Sequence, residues 1–297
     1  MTTATVLQQI LNALSLGAIY AVLALGLAIV FSTLGLLNFA YGELVTVNGY
    51  VMWLAVSAGL GFWAAAGLGV VAAVVFSLLI ELTAFRPLRG ASGPAVIFSS
   101  FAVSVIIQNL IRNFVSPRPQ GIAVPGWMDG VLTVGGLRFP VLSVVTIAVA
   151  AVALVALSAL LTRSRHGLAL RAAAEDFAVT RLMGAPANRI IGMAFALSGM
   201  LAGIAGFLWI ARRGTVNPTM GFTPLIQAFI AVGLGGFSKL SGAIYGGFLV
   251  AFIEVALQVA LPAALRPFTM AFALMVVVVI LFFRPQGLAR AAEGRLA

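Results

Sequence analysis

Of the seven acidic residues in this 297-residue chain, Glu43 and Glu254 stand inside runs apolar enough to cross a bilayer. An ionisable side chain is expensive there and is a functional candidate by default. Glu43 belongs to residues 35–50, GLLNFAYGELVTVNGY, where two asparagines, two tyrosines, a glutamate and three glycines interrupt the apolar pattern. Backbone that breaks inside hydrocarbon must be buried in protein or line a wet cavity. Asn38, Tyr41, Glu43 and Asn48 are therefore candidates to line a polar path, joined by Gln227 from a second broken stretch at 215–247. A plainer reading leaves Glu43 at a helix N-terminus near the membrane surface, where the helix dipole favours a carboxylate. Glu254 has Gln258 one turn on, so pairing inside the bundle is expected for it, and Glu81, close to Arg86 at a span end, reads as structural. His166, the single histidine, lies in a basic loop beside Gly167 and reads as solvated.

Nothing points to catalysis. No Walker A, HExxH or GxSxG pattern occurs, and without cysteine there is no disulfide framework or thiolate site. The adjacent carboxylates Glu175 and Asp176 lie in a basic stretch between spans. No bound metal or cofactor is expected.

These residues need elements to hold them. With 62% hydrophobic and 8% charged residues, against about 25% charged in soluble domains, the chain is an integral membrane protein. Apolar runs predict crossings near 6–31, 43–58, 63–85, 96–114, 141–161, 190–210, 222–237, 243–261 and 268–283. The expected fold is an all-α polytopic membrane bundle of eight or nine transmembrane segments, one or two broken or re-entrant, in a single transmembrane domain over 1–297. The opening MTTATVLQQILNALSLGAIY lacks a basic n-region and a small-residue cleavage site, and reads as a first span rather than a signal peptide.

The net charge of +10 invites a nucleic-acid partner, but the sixteen arginines and Lys239 lie mostly at span ends, which excludes one. Arg86 and Arg89 form one basic cluster, and Arg163, Arg165, Arg171, Arg181 and Arg189 a second. Placing both inside with Lys239, Arg284, Arg290 and Arg295 gives eleven basic residues inside and six outside, hence an outside N-terminus and a cytoplasmic C-terminus. The proline- and glycine-punctuated loop at 116–140 should be a short hairpin or irregular cap. Gly199, Gly203 and Gly206, and Gly242 with Gly246, have the small-residue spacing that lets membrane helices pack closely. The stretches 32–49 and 215–247 are alike in kind, glycine-broken with Asn or Gln, and suggest an internal repeat around a midplane site.

Between 163 and 190 the chain reads RSRHGLALRAAAEDFAVTRLMGAPANRI. Ala, Leu and spaced charges predict a short amphipathic helix. Gly184 stops it and Pro186 prevents its continuation. Such a helix leading straight into a span is a lever on the bundle.

The motifs GAIYAVLALGLAIVFSTLGLLNFAYGEL, HGLALRAAAEDFAVTRLMGAPANRIIGMAFALSGMLAGIAG, AFIAVGLGGFSKLSGAIYGG and FFRPQGL, in this order, resemble the permease subunits of branched-chain amino-acid ABC importers. The resemblance runs from about residue 10 to residue 288. It implies that the cytoplasmic helix is a coupling helix docking on an ATPase, with Arg171, Glu175, Asp176, Arg181 and Gly184 as the coupling residues. The subfamily pattern RAxAED falls on 171–176, but Ala178, Val179 and Thr180 depart from the broader ABC-importer loop pattern. Tyr41 replaces a histidine of the family's INFAHGEL motif, which precedes a span beside the translocation path.

The resemblance further implies a second permease subunit, two ATPase subunits that hydrolyse ATP, an external solute-binding protein, membrane lipid and a multi-pass place in the bacterial inner membrane. The expected substrate is a branched-chain or related amino acid, with urea or a short-chain amide as the alternative. The rival class is an ion-coupled secondary transporter or channel using Glu43 and Glu254; a purely structural membrane subunit is a third, poorer option.

Overall fold

The computed structural model describes residues 3–134, 137–236 and 240–283. In chain order the helices are α1 (Thr3–Leu34), α2 (Tyr41–Ser57), α3 (Phe62–Ile80, prolonged by a π turn at Glu81–Phe85), α4 (Gly93–Phe114), α5 (Val141–Arg163), α6 (Arg165–Glu175), α7 (Phe177–Leu182), α8 (Ala187–Arg213), α9 (Phe222–Gly235), α10 (Leu240–Ala260) and α11 (Thr269–Phe283). Strands β2 (Val131–Val134) and β3 (Leu137–Pro140) make a hairpin, and β1 (Gln120–Gly121) pairs with β4 (Thr215–Val216). The expected hairpin at 116–140 is there. The end of the bundle with this hairpin is opposite the end carrying α6 and α7.

Among the described residues, seven helices are long and apolar enough to cross a membrane. The nine expected crossings resolve into these seven plus two short helices. α2 has 17 residues and α9 has 14, about 25 and 21 Å at 1.5 Å per residue, short of the roughly 30 Å hydrocarbon core. Each follows a break. Gly35 and Gly214 both end a long helix at φ +66°, a backbone angle that glycine adopts without a Cβ penalty. Three residues on, Asn38 Oδ1 accepts from the Ala40 N–H at 3.0 Å and Asn217 Oδ1 from the Thr219 N–H at 3.1 Å. The asparagines close matching turns. Gly42 and Gly221 then precede or open the short helices, so residues 35–42 and 214–221 share the pattern GxxNxxxG.

The rest of the order repeats too. α1 to α4 and α8 to α11 are each a long helix, a break, a short helix and two further helices. The second set runs in the opposite direction: Arg212, at the end of α8, bonds Ser15 near the start of α1, Trp209 packs on Tyr20, and Leu201 meets Gly26. α1 packs along α10 as α8 packs along α3. Gly199 and Gly203 lie against Val70, Ala73 and Ser77, and Gly247 lies against Tyr20 and Ala21. The halves form an inverted repeat. α1 is the pillar, buried on nearly every side, and α5 and α11 form much of the outer rim.

The two breaks cross at Gly42 and Gly221. A Cβ on Gly221 would collide with the Gly42 carbonyl and stand 2.6 Å from Thr46 Oγ1, whose oxygen accepts from the Gly221 N–H at 3.1 Å. Overpacking of this kind costs about 1–3 kcal/mol. Gly221→Ala should therefore lower the thermal midpoint of the detergent-solubilised protein by several degrees. Gly67→Ala, with open space around its Cβ, should leave it unchanged.

Candidate functional site

Glu43 is in the first turn of α2, where the helix dipole favours a carboxylate, but this helix begins inside the bundle. Glu43 is thus at a helix N-terminus and at the same time buried, at 2% exposure. Its Oε1 accepts from Ser104 Oγ and from Gln108 Nε2, both at 2.7 Å. Its Oε2 has no partner. Ser104 and Gln108 were absent from the sequence candidates. The signal for them is Ser100, Ser104, Gln108 and Arg112 at four-residue spacing along α4, a polar row on an otherwise apolar span. Ser100 Oγ also accepts from the Phe39 N–H at 3.1 Å, so α4 touches both the first break and the helix after it.

The other candidates knit helices together. Tyr41 donates its hydroxyl to the Leu23 carbonyl at 2.9 Å, against Gly26. Asn48 is slotted between Gly69 and Gly206 and donates to the Gly203 carbonyl at 2.6 Å, while its Oδ1 is unpartnered. Gln227, the counterpart of Asn48 in the second half, donates to Glu254 at 3.0 Å and also leaves its own oxygen unpartnered. Glu254 accepts from Tyr20 at 2.7 Å, the pairing within the bundle that its position suggests. Glu43 and Gln227 are not brought into one cluster. Beyond Gln227, Arg213 stands 4.8 Å over the Trp209 ring. A polar cavity of about 180 Å³ lies there, lined by Trp209, Arg213, Thr215, Asn217, Thr219, Met220 and Thr223.

At the opposite end the expected single amphipathic helix is two. Asp176 breaks it: its backbone is extended, and its Oδ1 accepts from the Val179 N–H at 2.9 Å, which caps α7. Such capping satisfies a donor left free at a helix start. Gly184, at φ +83°, closes the segment as expected. Arg171, Glu175, Asp176, Arg181 and Gly184 are all exposed, and so are Leu182 and Met183, at 86% and 83%. Phe177 and Arg181 border a cavity of about 720 Å³ shared with the end of α1, the α3–α4 loop and the start of α8. Arg89 fixes that loop by pairing with Glu81 and bonding Asn188. Glu81, close to Arg86 in sequence, pairs with Arg89, in keeping with a structural role. His166 is exposed on α6.

A break, a crossing and an exposed helix pair are features of a transport subunit, and sequence comparison agrees. Residues 9–283 match the family model described as "Branched-chain amino acid transport system / permease component". The chain belongs to this family. It is 31% identical over 260 residues to the high-affinity branched-chain amino acid transport system permease protein BraD of Pseudomonas aeruginosa, covering 84% of this chain and 85% of that protein. It is 30% identical over 262 residues to LivH of Escherichia coli, a protein of the same description, with 84% of each covered. The ribose import permease RbsC of Escherichia coli is 25% identical over 272 residues, covering 84% of this chain and 77% of that protein. As a permease component the chain is a multi-pass transport protein and not an enzyme. The family implies that ATP is used by a partner ATPase.

Asp176 gives the coupling end a local test. Losing a side-chain N-cap costs about 1 kcal/mol, which corresponds to about fivefold faster opening. Asp176→Ala should speed amide hydrogen exchange across 179–182 by about that factor, whereas Asp176→Asn, still a good cap, should not.

Proposed function

We propose that the chain is one half of the membrane-spanning unit of an ABC importer that carries branched-chain or related amino acids into the bacterial cytoplasm. The chain would form one transmembrane domain with a cytoplasmic C-terminus, and the positive-inside count supports that orientation. Lys239, Arg284, Arg290 and Arg295, which contribute to that count, lie outside the described residues.

The observation that carries the mechanism is the exposed α6–α7 pair. Leu182 and Met183 present bare apolar side chains beside Arg181, and a large exposed apolar group next to charge marks a protein interface. An ATPase subunit is the partner that the family supplies for it. Arg171, Glu175 and Asp176 would frame the docked surface, and Gly184 would set the angle into α8. Closure of two ATPases on ATP would press on α7, move α8, and shift the inverted repeats against each other. A second permease subunit would complete the path, and an external binding protein would deliver substrate. Glu43, Asn48 and Gln227, each with an unpartnered oxygen among the described residues, would contribute to that path with Asn38 and Tyr41, Gln227 from the second half and apart from Glu43.

In the assembled importer, Leu182→Asp should reduce ATPase retention in a detergent pull-down, because interface anchors of this kind are worth about 2 kcal/mol or more. Arg171→Ala combined with Glu175→Ala should lower substrate-stimulated ATP hydrolysis and uptake together. Unchanged retention, stimulation and uptake would remove the coupling assignment.

A further inference from the structure

Among the described residues, no donor meets Glu43 Oε2 in hydrogen-bonding geometry, although the Thr46 hydroxyl lies close to the carboxylate. Oε1 takes two hydrogen bonds, Oε2 takes none, and the side chain is 2% exposed. A buried carboxylate is costly unless a cation meets it. Among the described residues the ion pair formed is Arg89–Glu81, at the α6/α7 end.

A cation is nearby but does not bond it. Arg112 is one turn beyond Gln108, the residue that bonds Glu43, on α4, and it makes no ion pair with Glu43. Side chains on a helix lean toward its N-terminus, which for Arg112 is the direction of Gln108 and Glu43. Four-residue steps rotate by about 40° around a helix. The row from Ser100 to Arg112 thus leaves the buried face as it climbs: Ser100 and Ser104 are 0% and 6% exposed, Gln108 is half-buried and Arg112 is exposed. The far side of α4 exposes Phe98, Ile106 and Leu110 as a lipid-facing surface would. A row that runs from an unfilled carboxylate to an exposed guanidinium opens toward the hairpin end.

We propose that Glu43 and Arg112 are the two poles of a site for a zwitterionic α-amino acid: Glu43 Oε2 accepts from the ammonium group, and Arg112 donates to the carboxylate. Ser104 and Gln108 hold Glu43 in place through its other oxygen. The gap between an acid and a base that stop short of pairing suits a molecule with one charge of each sign. A neutral amide or urea has no charge for either pole. The assignment rests on the amino-acid import reading above and adds which atoms recognise the charged head group.

The chain has no cysteine, so a single Gln108→Cys reports on the site in the full importer reconstituted in proteoliposomes. Cationic and anionic methanethiosulfonates added from the hairpin side should both label it, and saturating leucine should slow labelling by about tenfold, a change equivalent to one occupied site outcompeting the reagent. Adding Glu43→Gln should shift the cationic-to-anionic rate ratio down and Arg112→Gln should shift it up, each by about tenfold. Leucine uptake by the importer without the Gln108→Cys substitution should have its KM raised by Glu43→Gln and partly restored by Glu43→Asp. No labelling in any nucleotide state, no protection by leucine, or rate ratios unmoved by both substitutions would overturn the site; the last result would mean that Arg112 only reaches the lipid headgroups. If the unsubstituted importer moves no amino acid at all, the import reading fails instead. Labelling of Gln108→Cys alone decides access even where Glu43→Gln does not assemble.

Discussion

The structure depends on one contact between two chain segments that have no side chains at the point of contact. Gly42 and Gly221 meet backbone to backbone, and any Cβ at either position would enter the other's carbonyl. Lipid gives helices no hydrophobic drive to associate, so close approach and interhelical hydrogen bonds must do it. The Gly221 N–H bonded to Thr46 is such a bond at the crossing itself. Because α2 and α9 both stop short of spanning, their free ends must be satisfied inside the protein. The crossing, the asparagine turns and the left-handed glycines together meet that demand.

From this crossing the inverted repeat follows, and from the repeat a division of labour. The halves place related polar residues at related positions, Asn48 and Gln227 among them, yet use them differently: Asn48 ties α2 to α8, and Gln227 ties α9 to a carboxylate. Glu254 is held by Tyr20 and Gln227 on one oxygen and approached by Gln258 on the other, so its valence is spent in the bundle. Glu43 is held by one oxygen only. Two buried carboxylates are thus distinguished by the completeness of their hydrogen bonding among the described residues.

At the far end, the α6–α7 pair joins the bundle through short connections on both sides, Ser164 before it and Gly184 to Pro186 after it. Gly167 packs directly on the backbone of Leu160 and Leu161, which fixes where α6 leaves α5. Asp176 then turns the chain so that α7 presents Leu182 and Met183 outward. The capped pair leads through Gly184 to Pro186 into α8, and α8 reaches the crossing through its packing on α2 and α3.

Much of this was legible in the sequence, and for a physical reason. Hydrocarbon demands long apolar helices and positive charge at span ends, so composition and spacing alone determined the membrane class, the position of nearly every helix, the breaks at 35–50 and 215–247, the small-residue packing faces and the exposed segment before α8. These are local signals, each written in a few adjacent turns. The family was legible in the same way, from motifs in order. The tertiary structure decided what depends on residues far apart in the chain: that Gly42 meets Gly221, that Glu43 is held by Ser104 and Gln108 some 61 and 65 residues on, and that Glu254 belongs to Tyr20 across 234 residues. It also decided two local matters where rival interactions were close, the break of the amphipathic helix at Asp176 and the pairing of Glu81 with Arg89. A glutamate's type says that it needs partners; only packing says which of its oxygens is left without one.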